Sequence, residues 1–178
     1  MRPKNVTYGV VNPKDIVGLT GREILQRISD GRLPAPPIAQ TLNLWLTEVD
    51  DGFAVFEGDP MAEFQQPFGL VHGGWALTLI DSVTTCAAQT LLPAGVGCTT
   101  IETKGNFSRP ITKDSGRVRA EGRVIGRGRR IMSAEAKVFD GHGRILAHGT
   151  STVMVLGGDA ADDRPGNPPI SATGKTSA

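Results

Sequence analysis

One acidic side chain, Asp81, stands alone in the most apolar stretch of this chain. Between Glu63 and Glu102 it is the only carboxylate, no lysine or arginine accompanies it, and Leu79, Ile80 and Val83 are its neighbours. An unpaired buried carboxylate is costly and shifts toward its protonated form, which is also the adjustment a general base needs near neutrality. The same residue could serve structurally, bonded to threonines or capping a neighbouring strand. Eight residues earlier, Gly73-Gly74 open an apolar periodic run. A helix start there offers unobstructed backbone N–H groups at the positive end of its dipole, a place to hold an anion or polarise a carbonyl oxygen. His72 precedes them and reads as a helix-start hydrogen bonder; His142 and His148 lie in a turn and a strand, without metal-ligand spacing.

The two features are too far apart to act on one atom within one chain. At 1.5 Å per residue, Asp81 lies about 12 Å along the axis from Gly73. They could cooperate where the helix start of one subunit meets the helix centre of another across a dimer interface.

A second constellation is basic: Arg123, Arg127, Arg129 and Arg130 in "RVIGRGRR". It reads either as a solvated strand and turn or as a phosphate site, which the guanidinium fork suits and to which Gly126 and Gly128 would add backbone amides. No aromatic residue interleaves with the arginines, so a nucleic-acid surface is not indicated. Cys86 and Cys98 both sit in apolar surroundings and read as reduced core thiols.

The elements that must position these groups can be read from periodicity. Thr20-Gly-Arg-Glu23 is a capping box, followed by Ile24, Leu25 and Ile28 on one face and a stop at Gly31. Residues 33–37, "LPAPP", form an extended connector. Strand-like runs at Thr41–Val49 and Phe53–Glu57 flank the hairpin signal Asp50-Asp51-Gly52. From Gly73 to Leu92 the positions Ala76, Leu79, Ile80, Val83, Ala87 and Leu91 recur at helical spacing, apolar enough all round that something must wrap the helix. Four strands follow at Thr99–Arg109, Arg117–Ile125, Ile131–Phe139 and Ile145–Leu156, with short links that imply successive antiparallel pairing, although the order in the sheet need not follow the chain. The reading is α+β, an antiparallel sheet around one central helix. Residues 1–35 are an N-terminal extension with a short helix, 36–156 the main domain, and 157–178, rich in Gly, Pro, Ser and Asp, a disordered tail.

Composition bounds the rest. Nineteen Lys and Arg nearly cancel eighteen Asp and Glu in 178 residues, so no global field points to nucleic acid or an acidic membrane. The first residues lack an apolar secretory core and no uninterrupted apolar span occurs, so a cytoplasmic protein that crosses no membrane is expected.

"FGLVHGGWALTLIDS" followed by "TTIETKGNFSRPI" resembles the hotdog-fold thioesterases of the phenylacetic-acid-degradation type. That family has a Gln or Asn, then HGG, then an acid in the central helix; here Gln66 precedes His72 by six residues and Asp81 follows His72 by nine. The resemblance covers roughly 36–156. It implies a hotdog fold and hydrolysis of an acyl-coenzyme A thioester, with coenzyme A as part of the substrate and no other cofactor or metal. It implies a homodimer with shared active sites, paired into a homotetramer. Gly73 would polarise the carbonyl, Asp81 of the facing subunit would act as base or nucleophile, and Gln66 would orient water or carbonyl. Thr85 and Thr100 would support them, with His72 and Gly74 at the helix start and Arg127, Arg129 and Arg130 on the coenzyme A phosphates. Two alternatives compete: a hotdog protein that binds acyl-coenzyme A without cleaving it, or a hotdog hydratase, which would need a closer acid–histidine spacing. A structural module with Asp81 as a satisfied core acid is the third.

Overall fold

The computed structural model of the chain describes residues 6–157. The tail expected at 157–178 therefore lies, Gly157 apart, outside the described residues. Six strands, β1 (Leu44–Asp50), β2 (Phe53–Gly58), β3 (Gly97–Phe107), β4 (Val118–Arg127), β5 (Ile131–Phe139) and β6 (Ile145–Leu156), form one antiparallel sheet in the order β1-β2-β4-β5-β6-β3. The long helix α3 (Gly73–Gln89) packs across its inner face. β5 shows why: its residues alternate exposed and buried along the whole strand, and Met132, Ala134, Ala136 and Val138 point into the core. Trp75, Ala76, Leu79, Ile80, Val83, Ala87 and Ala88 meet that surface from α3. The approach is close enough to require glycine beneath the helix. A methyl group at Gly122 would stand 2.5 Å from the Val83 carbonyl, and one at Gly149 would stand 3.0 Å from Ile80 Cγ2.

The N-terminal helix α1 (Gly21–Ser29) carries its capping box as spaced in the sequence: Glu23 N–H donates to Thr20 Oγ1 and Thr20 N–H to Glu23 Oε2. Its Leu25 and Ile28 join the main core, and Gly21 N–H donates to Leu92 O just beyond α3. The helix lies along β1, where Ser29 donates to Leu46 O and Arg22 pairs with Asp50 and Asp51 of the hairpin turn. One edge of the sheet is thus met by α1. The other edge, β3, has no strand beyond it among the described residues, and exposes Ile101 and Phe107.

Three expectations need correction. The first strand does not begin at Thr41: Pro37–Thr41 forms a one-turn helix, α2, with Pro37 at a first helical position that tolerates its missing N–H. Asn43 then adopts φ 52°, its amide donating to Asp59 O, and only after it does β1 begin. Helix α3 stops at Gln89, short of Leu92, where Thr90 Oγ1 donates to Ala87 O and accepts Gly52 N–H from the β1–β2 turn. Strand β3 does not pair with β4; the intervening link, with a 3-10 turn at Lys113–Ser115, lets β4 join β2 while β3 lies beside β6. The sheet wraps the apolar side of α3 as expected. The face bearing Thr78, Asp81, Ser82 and Thr85 remains half-buried and open.

Candidate active site

The chain enters α3 through a tight loop. Gln66 N–H donates to Leu70 O, Gly69 N–H returns to Gln66 O, and Gly69 takes φ 85° to close the turn. The Gln66 side chain accepts Phe68 N–H at Oε1, 2.6 Å, which leaves its amide nitrogen to act outward as a donor. His72 caps the helix: its backbone is extended, its N–H is held by Phe64 O, and its Nδ1 accepts Gly74 N–H at 2.9 Å. The two glycines are therefore not equivalent. The Gly74 amide expected to be open is used by the cap, whereas the Gly73 amide has no acceptor among the described residues. Phe107 of β3 lies over this end, its ring 3.2 Å from where a Gly73 methyl would sit.

Asp81 lies two turns further along α3, half-buried rather than buried. Its Oδ1 accepts the Thr103 hydroxyl proton at 3.0 Å, and its Oδ2 has no partner among the described residues. One turn on, Thr85 Oγ1 touches Thr100 Oγ1 at 2.5 Å, so the α3 and β3 threonines form a bridge beside the carboxylate. These groups border two cavities. One, of about 490 Å³, has an apolar wall of Ile38, Leu44 and Phe56 opposite Asp81, Ser82 and Thr85. The other, of about 360 Å³, runs from Gly74 past Thr78 and Asp81 to Ile101 and Thr103.

Cys86 and Cys98 border the larger cavity. Burial, then the neighbouring Cys98 and Asp81, pushes the Cys86 thiol up to about 12; burial pushes Cys98 up to about 11. Cys98 Sγ donates to Gln89 Oε1 at 3.3 Å. Both are therefore held as thiols at neutral pH.

The arginines stand elsewhere in the chain. Arg127 donates to Leu91 O beyond the C-terminal end of α3, about 15 Å along the axis from Asp81. Arg123 lies over the Phe53 ring at 5.0 Å, Arg129 is exposed, and Gly128 N–H closes the turn on Ile131 O. Along α3 the candidate residues thus fall into three groups: Gln66, His72 and Gly73 at its start, Asp81 with Thr85 and Thr100 at its centre, and the arginines past its end. Among the described residues no three of His, Cys, Asp and Glu gather in a way that could hold a metal ion, and no helix is long and apolar enough to cross a membrane.

A family model for the thioesterase superfamily matches residues 68–147, from the loop before α3 into β6. The proofreading thioesterase EntH of Klebsiella pneumoniae is 32% identical over 103 residues, 58% of this chain and 74% of that protein. The chain belongs to the thioesterase superfamily. It is a hotdog-fold thioester hydrolase of the phenylacetic-acid-degradation type. Among solved structures, the phenylacetic acid degradation-related protein of Ralstonia eutropha JMP134 superposes with a TM-score of 0.67 at 28% identity, covering 73% of this chain and 98% of that one. A thioesterase family protein of Silicibacter pomeroyi gives 0.64 at 27% identity, covering 68% and 90%.

In this hotdog thioesterase the groups that sequence reasoning missed are Thr103, which donates to Asp81, Ser151, which bonds Thr103, and Phe107, which lies over Gly73. Period-two alternation from Thr100 puts Thr103 on the opposite face of β3. A bulge between Thr100 and Glu102 resets the alternation and turns both threonines toward α3.

Proposed function

We propose that this thioesterase hydrolyses acyl-coenzyme A esters in sites shared between two subunits. The carrying observation is the separation within one chain. The free Gly73 amide and the free Asp81 oxygen belong to one helix but lie about 12 Å apart, and the open face of α3 leaves Asp81 accessible. The bare β3 edge supports the same reading, because a long exposed strand with apolar side chains invites a partner while α1 occupies the opposite edge. Two copies joined edge to edge at β3 set their α3 helices side by side and antiparallel. Gly73 of one then faces Asp81 of the other, twice, as two-fold symmetry requires. Pairing of such dimers into a tetramer follows from the family resemblance.

In this arrangement the Gly73 N–H holds the thioester carbonyl oxygen at the positive end of the helix. The Gln66 amide nitrogen donates to the carbonyl or to the attacking water. Asp81 Oδ2 takes a proton from water as the water oxygen bonds to the carbonyl carbon; the carbon–sulfur bond then breaks, and the leaving sulfur takes up the proton. Direct attack by the same oxygen, followed by hydrolysis of the resulting anhydride, uses the same geometry. Thr85 and Thr100 flank the carboxylate, and the apolar wall of Ile38, Leu44 and Phe56 takes the acyl group. Arg127, Arg129 and Arg130 bind the coenzyme A phosphates.

The test is thiol release from a panel of short, medium and aryl acyl-coenzyme A esters. Turnover of any of them supports the reading. Release from acyl groups on a carrier protein but from no coenzyme A ester would overturn it.

A further inference from the structure

Beneath Asp81 lies a row of hydroxyls that neither the family pattern nor the reaction accounts for. Thr103 Oγ1 is 3.0 Å from Asp81 Oδ1, Ser151 Oγ is 3.0 Å from Thr103 Oγ1, and Thr84 Oγ1 is 2.7 Å from Ser151 Oγ. The row links α3, β3 and β6, since Thr103 pairs with Ser151 across the β3–β6 ladder. Thr84 and Ser151 are buried, Thr103 is half-buried, and the row meets the smaller cavity at the carboxylate and Thr103.

Each hydroxyl carries one proton, so the order of donation is determined from one end. An ionised carboxylate only accepts, which commits the Thr103 proton to Oδ1. Thr103 must then accept from Ser151, and Ser151 from Thr84. The Thr84 proton has an alternative acceptor in Ile80 O at 2.8 Å, and it turns to Ser151 at that bond's expense. With Asp81 charged, three dipoles point one way, each polarising the next in a water-poor setting. A neutral carboxyl can also donate, so it no longer fixes that order, and the Thr84 proton has the Ile80 and Asp81 carbonyls as its other acceptors.

We propose that Thr103, Ser151 and Thr84 are positioning residues that fix Asp81 Oδ1 and present Oδ2 alone to the substrate. This rests on the reading of Asp81 as the reacting acid. The other ionisable groups around the carboxylate are Cys86 on its own helix and Cys98 and Glu102 on β3; none of these is a cation. Within one chain the hydroxyl of Thr103 is the group that holds the carboxylate in place.

The experiment compares Thr103→Val, Ser151→Ala, Thr84→Val and Thr103→Ser with the wild type. It measures kcat and KM across pH on an acyl-coenzyme A ester, and follows the Asp81 carboxyl by carbon-13 NMR titration, which needs no turnover. Loss of a hydrogen bond to the charged form should move the acid limb and the NMR midpoint of Thr103→Val upward by about half a pH unit or more. Its kcat should fall about tenfold with KM little changed, a loss expected of misplaced general-base chemistry. Ser151→Ala should shift the same way by less, Thr84→Val least, and Thr103→Ser should behave as wild type. Unchanged midpoints in Thr103→Val and Ser151→Ala would overturn the proposal. An Asp81→Asn protein that still turns over substrate would instead overturn the role given to Asp81, whatever the row does, so the two failures are distinguishable.

Discussion

The imidazole of His72 accepts the Gly74 amide proton at 2.9 Å, so the side chain before the two glycines uses the second of their amides and leaves the first. In the proposed reaction that division leaves Gly73 as the position that would hold the carbonyl oxygen. It also suggests a substitution that removes one hydrogen-bond donor and little else. Proline is favoured at the first position of a helix, where its missing N–H costs no helical bond. His72 already has the extended backbone, φ −62° and ψ 134°, that a following proline demands. The nearest obstacle is the Phe107 ring, which is exposed and able to turn aside. Gly73→Pro should fold and assemble normally while kcat falls by about two orders of magnitude, the cost of a lost oxyanion donor. Steady-state kinetics beside a melting curve checks this; retained kcat would show that another donor holds the oxygen.

The two thiols make a chemical prediction. With Cys86 pushed up to about 12 and Cys98 to about 11 by burial, the native protein holds on the order of one thiolate in a thousand or fewer at pH 8. A disulfide reagent should therefore label neither thiol at an appreciable rate in the folded protein and both after denaturation. Rapid native labelling of either one would contradict the packing of α3 against β3.

Asp140 gives a pH dependence. It is buried in the β5–β6 turn, where Oδ1 accepts the His142 and Arg144 amide protons at 2.9 and 2.8 Å and Oδ2 meets Arg144 Nε at 2.6 Å. Burial alone would raise its carboxyl, but the Arg144 amide and guanidinium and the His142 amide together hold it below the ordinary carboxylate value. A lowered folded value stabilises the protein above the unfolded value, about pH 4, and that stability is lost as pH falls through the folded value. Asp140→Asn should therefore melt at a lower temperature than wild type at pH 7, with the gap closing below about pH 4. A gap independent of pH would mean that the turn is held by shape and not by charge.

The parts legible in the sequence are those governed by local chemistry. The capping box at Thr20 and Glu23 forms as spaced, and the hairpin signals at Asp50–Gly52 and Asp140–Gly143 each join neighbouring strands. Gly126–Arg130 does the same for β4 and β5. Short turns leave the chain nowhere else to go. The longer link at Pro110–Gly116 does not constrain it in this way, and there the order of pairing departs from the order of the chain. Helix α2 was hidden because its residues suit a strand as well as a turn, and two prolines decided between them. At the site, Asp81 and the glycines stood out by their isolation in apolar sequence. Their partners did not, because a one-residue bulge sets which threonines of β3 face the helix, and no local residue announces it.

The shared site is the central claim, and subunit mixing tests it most directly. Asp81→Asn and Gln66→Ala should each be inactive alone, one lacking the base and the other the group that orients water or carbonyl. After subunit exchange about half of the dimers pair one chain of each kind, and two-fold symmetry places both lesions in one of their sites and neither in the other. Activity should then return to roughly a quarter of wild type, only after exchange and only in the mixture. Verified exchange with no recovery would contradict the account and place Gln66, Gly73 and Asp81 in service within a single chain.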